Sequence, residues 1–140
     1  MTPFYSRRHV IEWGQCDPAG IVYAPRYLDM FGENTIRMFE FAGLPRKREM
    51  LKQRNVAGFP MVDVHARFLH PTAYGDEVVL ESAAPAFGNA SFTIEHRLML
   101  GDMLCVECTE KRVWTVPAAD KPGGLKAERV PEEVRALFRK

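Results

Sequence analysis

The stretch Trp13-Gly14-Gln15-Cys16-Asp17-Pro18-Ala19-Gly20-Ile21-Val22-Tyr23 sets one carboxylate, Asp17, in a tight turn between two apolar segments. Asp and Gly favour turns, and Pro18 fixes its own φ and keeps Asp17 out of helical geometry. A carboxylate on a rigid turn beside a helix start has the chemistry of a nucleophile or a base. The same residue types also make an ordinary turn, so the surrounding elements must decide between the two.

Other reactive side chains have a plainer reading. Cys105-Val106-Glu107-Cys108 is formally a C-x-x-C, but it lies in what reads as a strand. Positions three apart on a strand point to opposite faces, which is poor geometry for chelation or a disulfide. Cys16 reads as a small apolar filler. The three cysteines, an odd number, suggest no disulfide framework, and no metal or cofactor site is expected. Of the four histidines, His9 and His96 read as packed or surface residues on strands. His65 is a candidate site residue, because Asp63 shares its strand face.

The elements that must position these groups follow from periodicity. Residues 4–12 read as a first strand. From Pro25 to Ala42 the pattern turns helical: Leu28, Phe31, Thr35, Met38, Phe39 and Ala42 fall at three- and four-residue spacings. Pro25 suits a first helical turn, Gly43 a C-terminal cap, and Pro45 a stop. Residues 45–55 are strongly basic and read as a short helix or helical loop with a solvated face. The period then becomes two over 61–70, 77–83, 91–100 and 103–116, with turns at 71–76, 88–89 and 101–102. A Pro/Gly/Lys-rich segment, 117–126, leads to a short terminal helix near 131–138. Strand, long helix, four long antiparallel strands is an α+β pattern: one helix covered by a curved sheet of about five strands. The sheet edges then need protection, which a homodimer extending the sheet would supply, with a site at the interface.

Composition sets limits. The 140 residues fit a single domain, 1–140, and 46% apolar with 26% charged content argues against disorder. A net charge of +1 gives no overall basic field for nucleic acid. No apolar run approaches a membrane span and the N-terminus lacks a secretory core, so a cytoplasmic location is the default.

The chain resembles the hotdog-fold acyl-CoA thioesterases, the 4-hydroxybenzoyl-CoA thioesterase group in particular. Cys16-Asp17-Pro18-Ala19-Gly20-Ile21-Val22-Tyr23, with Pro25 and Tyr27, carries the match. Gly58-Phe59-Pro60-Met61-Val62, Ala66-Arg67-Phe68 and Tyr74-Gly75-Asp76 follow in order and distance, and Ser91-Phe92 fits the next strand start. The resemblance spans residues 5–116. It implies hydrolysis of an acyl-CoA to the free acid and CoA, with Asp17 as nucleophile or general base. It places the oxyanion donors at the helix start, on the backbone N–H of Ala24 and its neighbour Tyr23, since Pro25 has none. Gly32, Phe59 and Pro60, with His65, become candidate substrate-binding residues. The alternatives are a non-catalytic acyl-CoA- or lipid-binding subunit and an acyl-carrier-protein thioesterase, for which the basic 46–54 patch would suit an acidic carrier. The implied assembly is a homodimer or homotetramer.

Two departures from the family pattern bear on substrate. Where the founding type has an acidic helix residue that reads the acyl hydroxyl, this chain has Gly32. Phe87-Gly88-Asn89-Ala90-Ser91 holds no basic run for the CoA phosphates, leaving Arg97, Lys111, Arg112, Lys121, Lys126, Arg129 or residues 46–54 as candidates. Hotdog dehydratases need a histidine near the central helix, and none occurs between Ile11 and Val64.

Overall fold

The computed structural model describes residues 1–139. After β1 (Tyr5–Val10) and one short 3-10 turn, the chain enters a helix of 19 residues, α1 (Ala24–Ala42). Pro25 sits in its first turn, and Gly43, at φ 123°, closes it by donating its N–H to the Glu40 and Phe39 carbonyls. The basic segment forms α2 (Lys47–Arg54). Then come β2 (Met61–Phe68), β3 (Glu77–Ser82), a two-residue β4 (Ala86–Phe87), β5 (Ser91–Leu100) and β6 (Met103–Val113).

These strands make one antiparallel sheet in the order β1-β3-β5-β6-β2, with β4 added beside β5. The expected last strand, 103–116, is divided. After Val113 the chain turns to pair Thr115–Pro117 (β7) with Leu125–Ala127 (β8) in a separate two-stranded ribbon. Gly58 forms a bridge to Thr115, so this ribbon also borders the segment that leads into β2. A short α3 (Glu132–Ala136) ends the described chain.

α1 lays one face on the sheet, and its buried residues divide the core in two. Tyr27, Met30 and Phe31 pack with Ile11, Leu80 and Leu98; Met38 and Phe39 pack with Phe92, Ile94 and Trp114. Leu28, expected on the buried stripe, is only partly buried, because Tyr27 and Met30 flank it on the sheet side. Between the two apolar halves lies a buried polar layer. Asn34 and Thr35 on α1 meet Ser82, His96 and Glu110 from three successive strands, all within 2% of full burial.

The layer forms a continuous hydrogen-bonded chain. Arg7 Nε donates to Asn34 Oδ1 at 2.8 Å, and Asn34 Nδ2 donates to Ser82 Oγ. Ser82 Oγ lies 2.6 Å from His96 Nδ1, and His96 Nε2 lies 3.0 Å from Glu110 Oε1. The ionised Glu110 carboxylate can only accept, so His96 Nε2 carries a proton and donates to it. Thr35 Oγ1 also donates to Glu110 Oε1, and Arg112 grips both carboxylate oxygens at 3.0 and 3.1 Å. No buried side-chain N or O among the described residues lacks a partner.

Cys105 and Cys108 do not point to opposite faces, because β6 carries an extra residue. The register moves from Leu98↔Val106 to Met99↔Leu104, so Cys105 is a bulge residue and both thiols enter the same apolar cluster. Both are free, and burial pushes the Cys108 thiol up to about 12, so it stays protonated.

Burial by itself would push the Glu110 carboxyl up, but hydrogen bonds from His96, Arg112 and Thr35 outweigh it and hold the group down at about 2. The folded state therefore binds fewer protons than the unfolded one. The contribution of this group is complete above its ordinary value of 4.5 and is lost as pH falls from there through about 2. Glu110→Gln, which leaves Arg112 buried without its counter-charge, is expected to cost about 3–5 kcal/mol in urea unfolding at neutral pH. The variant should also lose less stability than the wild type between pH 4.5 and 2.

Candidate functional site

Asp17 sits where the chain reverses between the 3-10 turn and α1. Its N–H donates to the Ile21 carbonyl at 3.0 Å, and Gly20 N–H donates back to the Asp17 carbonyl at 2.9 Å. Gly20 takes φ 84°, a conformation that L side chains rarely adopt, which closes this small hairpin. Cys16 and Val22 bridge across its base. The Asp17 side chain is half-buried, and one carboxylate oxygen accepts the Ala19 N–H at 2.8 Å. The second oxygen has no protein partner among the described residues, so it is held in place yet available to a reacting group.

The turn is braced on two sides. His9 Nε2 and the Glu12 N–H both meet Gln15 Oε1 at 2.9 Å, which holds the turn that precedes Asp17. On the other side Val22 N–H donates to the Thr72 carbonyl, and Ile21 bridges to Ala73. Thr72 is fixed in turn by Tyr27, whose hydroxyl lies 2.6 Å from Thr72 Oγ1 and accepts the Thr72 N–H at 3.2 Å. Asp76 closes its own turn on the Ala73 N–H at 2.8 Å, and Gly75 N–H reaches the Ile11 carbonyl. The Tyr74-Gly75-Asp76 motif thus serves as a support for the Asp17 turn.

At the helix start the two expected backbone donors part company. Tyr23 N–H is already committed to the Gln15 carbonyl at 2.9 Å. Ala24 N–H has no protein partner among the described residues, and Pro25 has no N–H, so Ala24 presents the free donor at this end of α1. Tyr23 acts as the cap residue and leaves its ring half exposed.

The other candidates lie elsewhere. A cavity of about 620 Å³ runs along α1 away from its N-terminus, lined by Gly32, Ile36, Phe39, Phe59, Pro60 and Arg112 among others. Phe59 stacks on Trp114 at 5.3 Å, and its carbonyl accepts from Arg112 Nη1 at 2.9 Å. Asp17 does not line this cavity. His65 is an exposed residue in the middle of β2, apart from both features. Of the basic candidates, Arg97 pairs with Glu81, Arg129 reaches Asn89, and Arg112 lies inside the molecule on Glu110. Among the described residues no group of three or more His, Cys, Asp or Glu side chains is placed to hold a metal ion, and no helix is long and apolar enough to cross a membrane.

A family model for the thioesterase-like superfamily matches residues 11–138, which include the Asp17 turn, α1 and the whole cavity lining. The chain belongs to the thioesterase-like superfamily. Within this superfamily it is 30% identical over 128 residues to a 4-hydroxybenzoyl-CoA thioesterase of Pseudomonas sp. strain CBS-3, covering 88% of this chain and 89% of that one. It is 29% identical over 94 residues to a 1,4-dihydroxy-2-naphthoyl-CoA hydrolase of Synechococcus elongatus, covering 67% and 68%. A crystal structure of a 4-hydroxybenzoyl-CoA thioesterase variant complexed with 4-hydroxybenzoyl CoA superposes with a TM-score of 0.88 at 27% identity, over 96% of this chain and 97% of that one. The hotdog fold that the resemblance implies is therefore the fold of this thioesterase-like chain.

Sequence reasoning did not find the Tyr27–Thr72 brace or the Glu110 layer. Tyr27 and Thr72 are 45 positions apart, and neither type signals a pair. Tyr27→Phe leaves a buried Thr72 hydroxyl and N–H without their partner, with an expected cost of about 1–3 kcal/mol in thermal or urea unfolding. Hydrogen exchange at the Val22 N–H, bonded to Thr72, should quicken at the same time.

Proposed function

We propose that the protein hydrolyses acyl-CoA thioesters, with Asp17 as the attacking carboxylate or the base that activates water. The observation that carries this reading is the pairing of an oriented, half-free carboxylate with an unpartnered N–H on Ala24 at the start of a long helix. A thioester carbonyl oxygen bound at that N–H meets a donor and the positive end of the helix dipole, which stabilise the developing oxyanion. Attack by the Asp17 oxygen expels the CoA thiolate and leaves a mixed anhydride for water to cleave; base catalysis delivers water in one step instead. Tyr23 contributes its cap geometry and not its N–H. The thioester of an acyl-CoA is the substrate class of the named relatives.

A homodimer completes this site. β2 is a sheet edge on which every residue except Ala66 is exposed, including Val62, Val64 and Phe68. Such an edge is an unpaired row of backbone donors and acceptors with apolar side chains, suited to pairing with its own copy. Two-fold pairing of one strand with itself is antiparallel. The Gly58–Pro60 segment and the cavity lie at the start of β2. The end of β2 lies by the Asp17 support, where Phe68 packs on Tyr27 at 5.8 Å. Antiparallel pairing sets the Asp17 end of one protomer beside the cavity of its partner, so one protomer supplies the carboxylate and the other the acyl pocket.

Asp17→Asn keeps a side-chain oxygen for the Ala19 N–H and removes the charge. With a panel of aromatic and aliphatic acyl-CoAs, kcat/KM is expected to fall about 100-fold or more. Full turnover by the variant would rule out this mechanism. Val64→Lys puts a charge on the β2 edge; light scattering should report a shift from dimer to the 16.0 kDa monomer, and activity should fall with it.

A further inference from the structure

The cavity along α1 contains a largely buried cation with unused hydrogen-bonding capacity. Arg112 is 14% exposed, and three of its N–H groups are occupied: Nε and Nη2 on Glu110, and Nη1 on the Phe59 carbonyl. A guanidinium has five N–H donors, so two remain, one of them on Nη2. Directly over Nη2 lies Gly32. A Cβ built there would sit 3.2 Å from Nη2, tighter than ordinary contact. Both residues line the cavity, and the missing side chain leaves the space beside Nη2 unfilled.

The charges around that gap decide what it suits. Glu110 neutralises Arg112 through a two-point grip. Lys47 and Glu40 also line the cavity and offset one another. Glu33 lines it too, with its carboxylate turned to Arg37 at 2.9 Å and Arg7 at 3.7 Å. The cavity therefore holds no surplus positive charge for an anion. It offers a donor at Arg112 Nη2 within walls of Ile36, Phe39, Phe59 and Met50.

We propose that Arg112, uncovered by Gly32, is a specificity-determining residue that reads an uncharged oxygen acceptor at the far end of the acyl group. A ring ketone, ether or hydroxyl oxygen has the required chemistry. This deepens the thioesterase reading and rests on it for the placement of the acyl group in this cavity. The recognition runs in one direction: the protein donates and the substrate accepts. An acyl group ending in a bare hydrocarbon leaves the Nη2 N–H without a partner and loses the corresponding affinity.

The test uses pairs of equal shape: 4-acetylbenzoyl-CoA against 4-isopropylbenzoyl-CoA, and the corresponding 6-substituted 2-naphthoyl-CoAs for a longer reach. In the wild type kcat/KM should favour the ketone by about 10- to 100-fold on at least one scaffold, the range for a hydrogen bond from a charged donor. Gly32→Ala fills the gap and should bring that ratio down about 10-fold or more; alanine is the better helix former, and the variant's melting temperature is recorded to check the close approach to Arg112. Arg112→Lys should also lower the ratio, with its melting temperature recorded alongside. A wild-type ratio near one on both scaffolds overturns the proposal, and so does a ratio unchanged in Gly32→Ala. A preference for 4-carboxybenzoyl-CoA over the ketone overturns its uncharged character. Calorimetry with free 4-acetylbenzoate and 4-isopropylbenzoate separates the two readings. If no acyl-CoA is hydrolysed, the thioesterase reading fails, while a ketone preference in Kd that Gly32→Ala removes still supports the Arg112 subsite. Equal Kd values for the two acids overturn that subsite.

Discussion

Five elements of this protein are joined by one hydrogen-bonded chain that ends on a buried carboxylate. Glu110 on β6 takes hydrogen bonds from Thr35 on α1, His96 on β5 and Arg112, while Ser82 on β3 and Asn34 continue the chain to Arg7 on β1. A buried charge is costly to leave unpaired, and every donor in this layer has one compatible position. The helix therefore sits on the sheet with a defined rotation and a defined shift along its axis. Apolar contacts alone would hold α1 against the strands; the polar layer between the two apolar clusters sets its position.

That position serves both ends of the proposed chemistry. With α1 fixed at Asn34 and Thr35, its first turn is carried to the Asp17 hairpin, where Tyr27 locks onto Thr72. Its middle, at Gly32, is carried to Arg112, whose far side grips the Phe59 carbonyl next to β2. The free Ala24 N–H and the cavity therefore lie on one rigid body about 12 Å apart along the helix, given the standard rise over eight residues. The exposed β2 edge spans the same two regions from the other side.

The order of elements could be read directly from the chain. The helix was legible from its spacing, with Pro25 and Gly43 marking its ends, and the strands from alternation at 61–68 and 91–100. The Asp17 turn was legible because Asp-Pro-Ala-Gly meets the local demands of a tight reversal, and a local rule needs no tertiary information. The division of the last strand into β6 and β7 was not legible. Val113, Trp114 and Thr115 continue the β pattern, and only the pairing of Thr115 with Gly58 and Ala127 draws the chain off the sheet. The bulge at Cys105 was hidden for the same reason: a register shift is a property of two strands, and one strand's sequence does not carry it.

By itself the sequence determined the fold class, the long helix between a first strand and a run of antiparallel strands, and the place of Asp17 directly before that helix. These follow from periodicity and turn chemistry, which act over a few residues. The tertiary structure alone decided which groups are spent and which are free. Tyr23 N–H is used by Gln15 while Ala24 N–H is left open, and one oxygen of Asp17 is used by Ala19. Arg112, one of several candidates for the CoA phosphates by sequence, becomes a largely buried donor opposite Gly32, 80 positions away. A hydrogen-bonding group binds or catalyses only with the capacity its neighbours leave over, and those neighbours are distant in sequence.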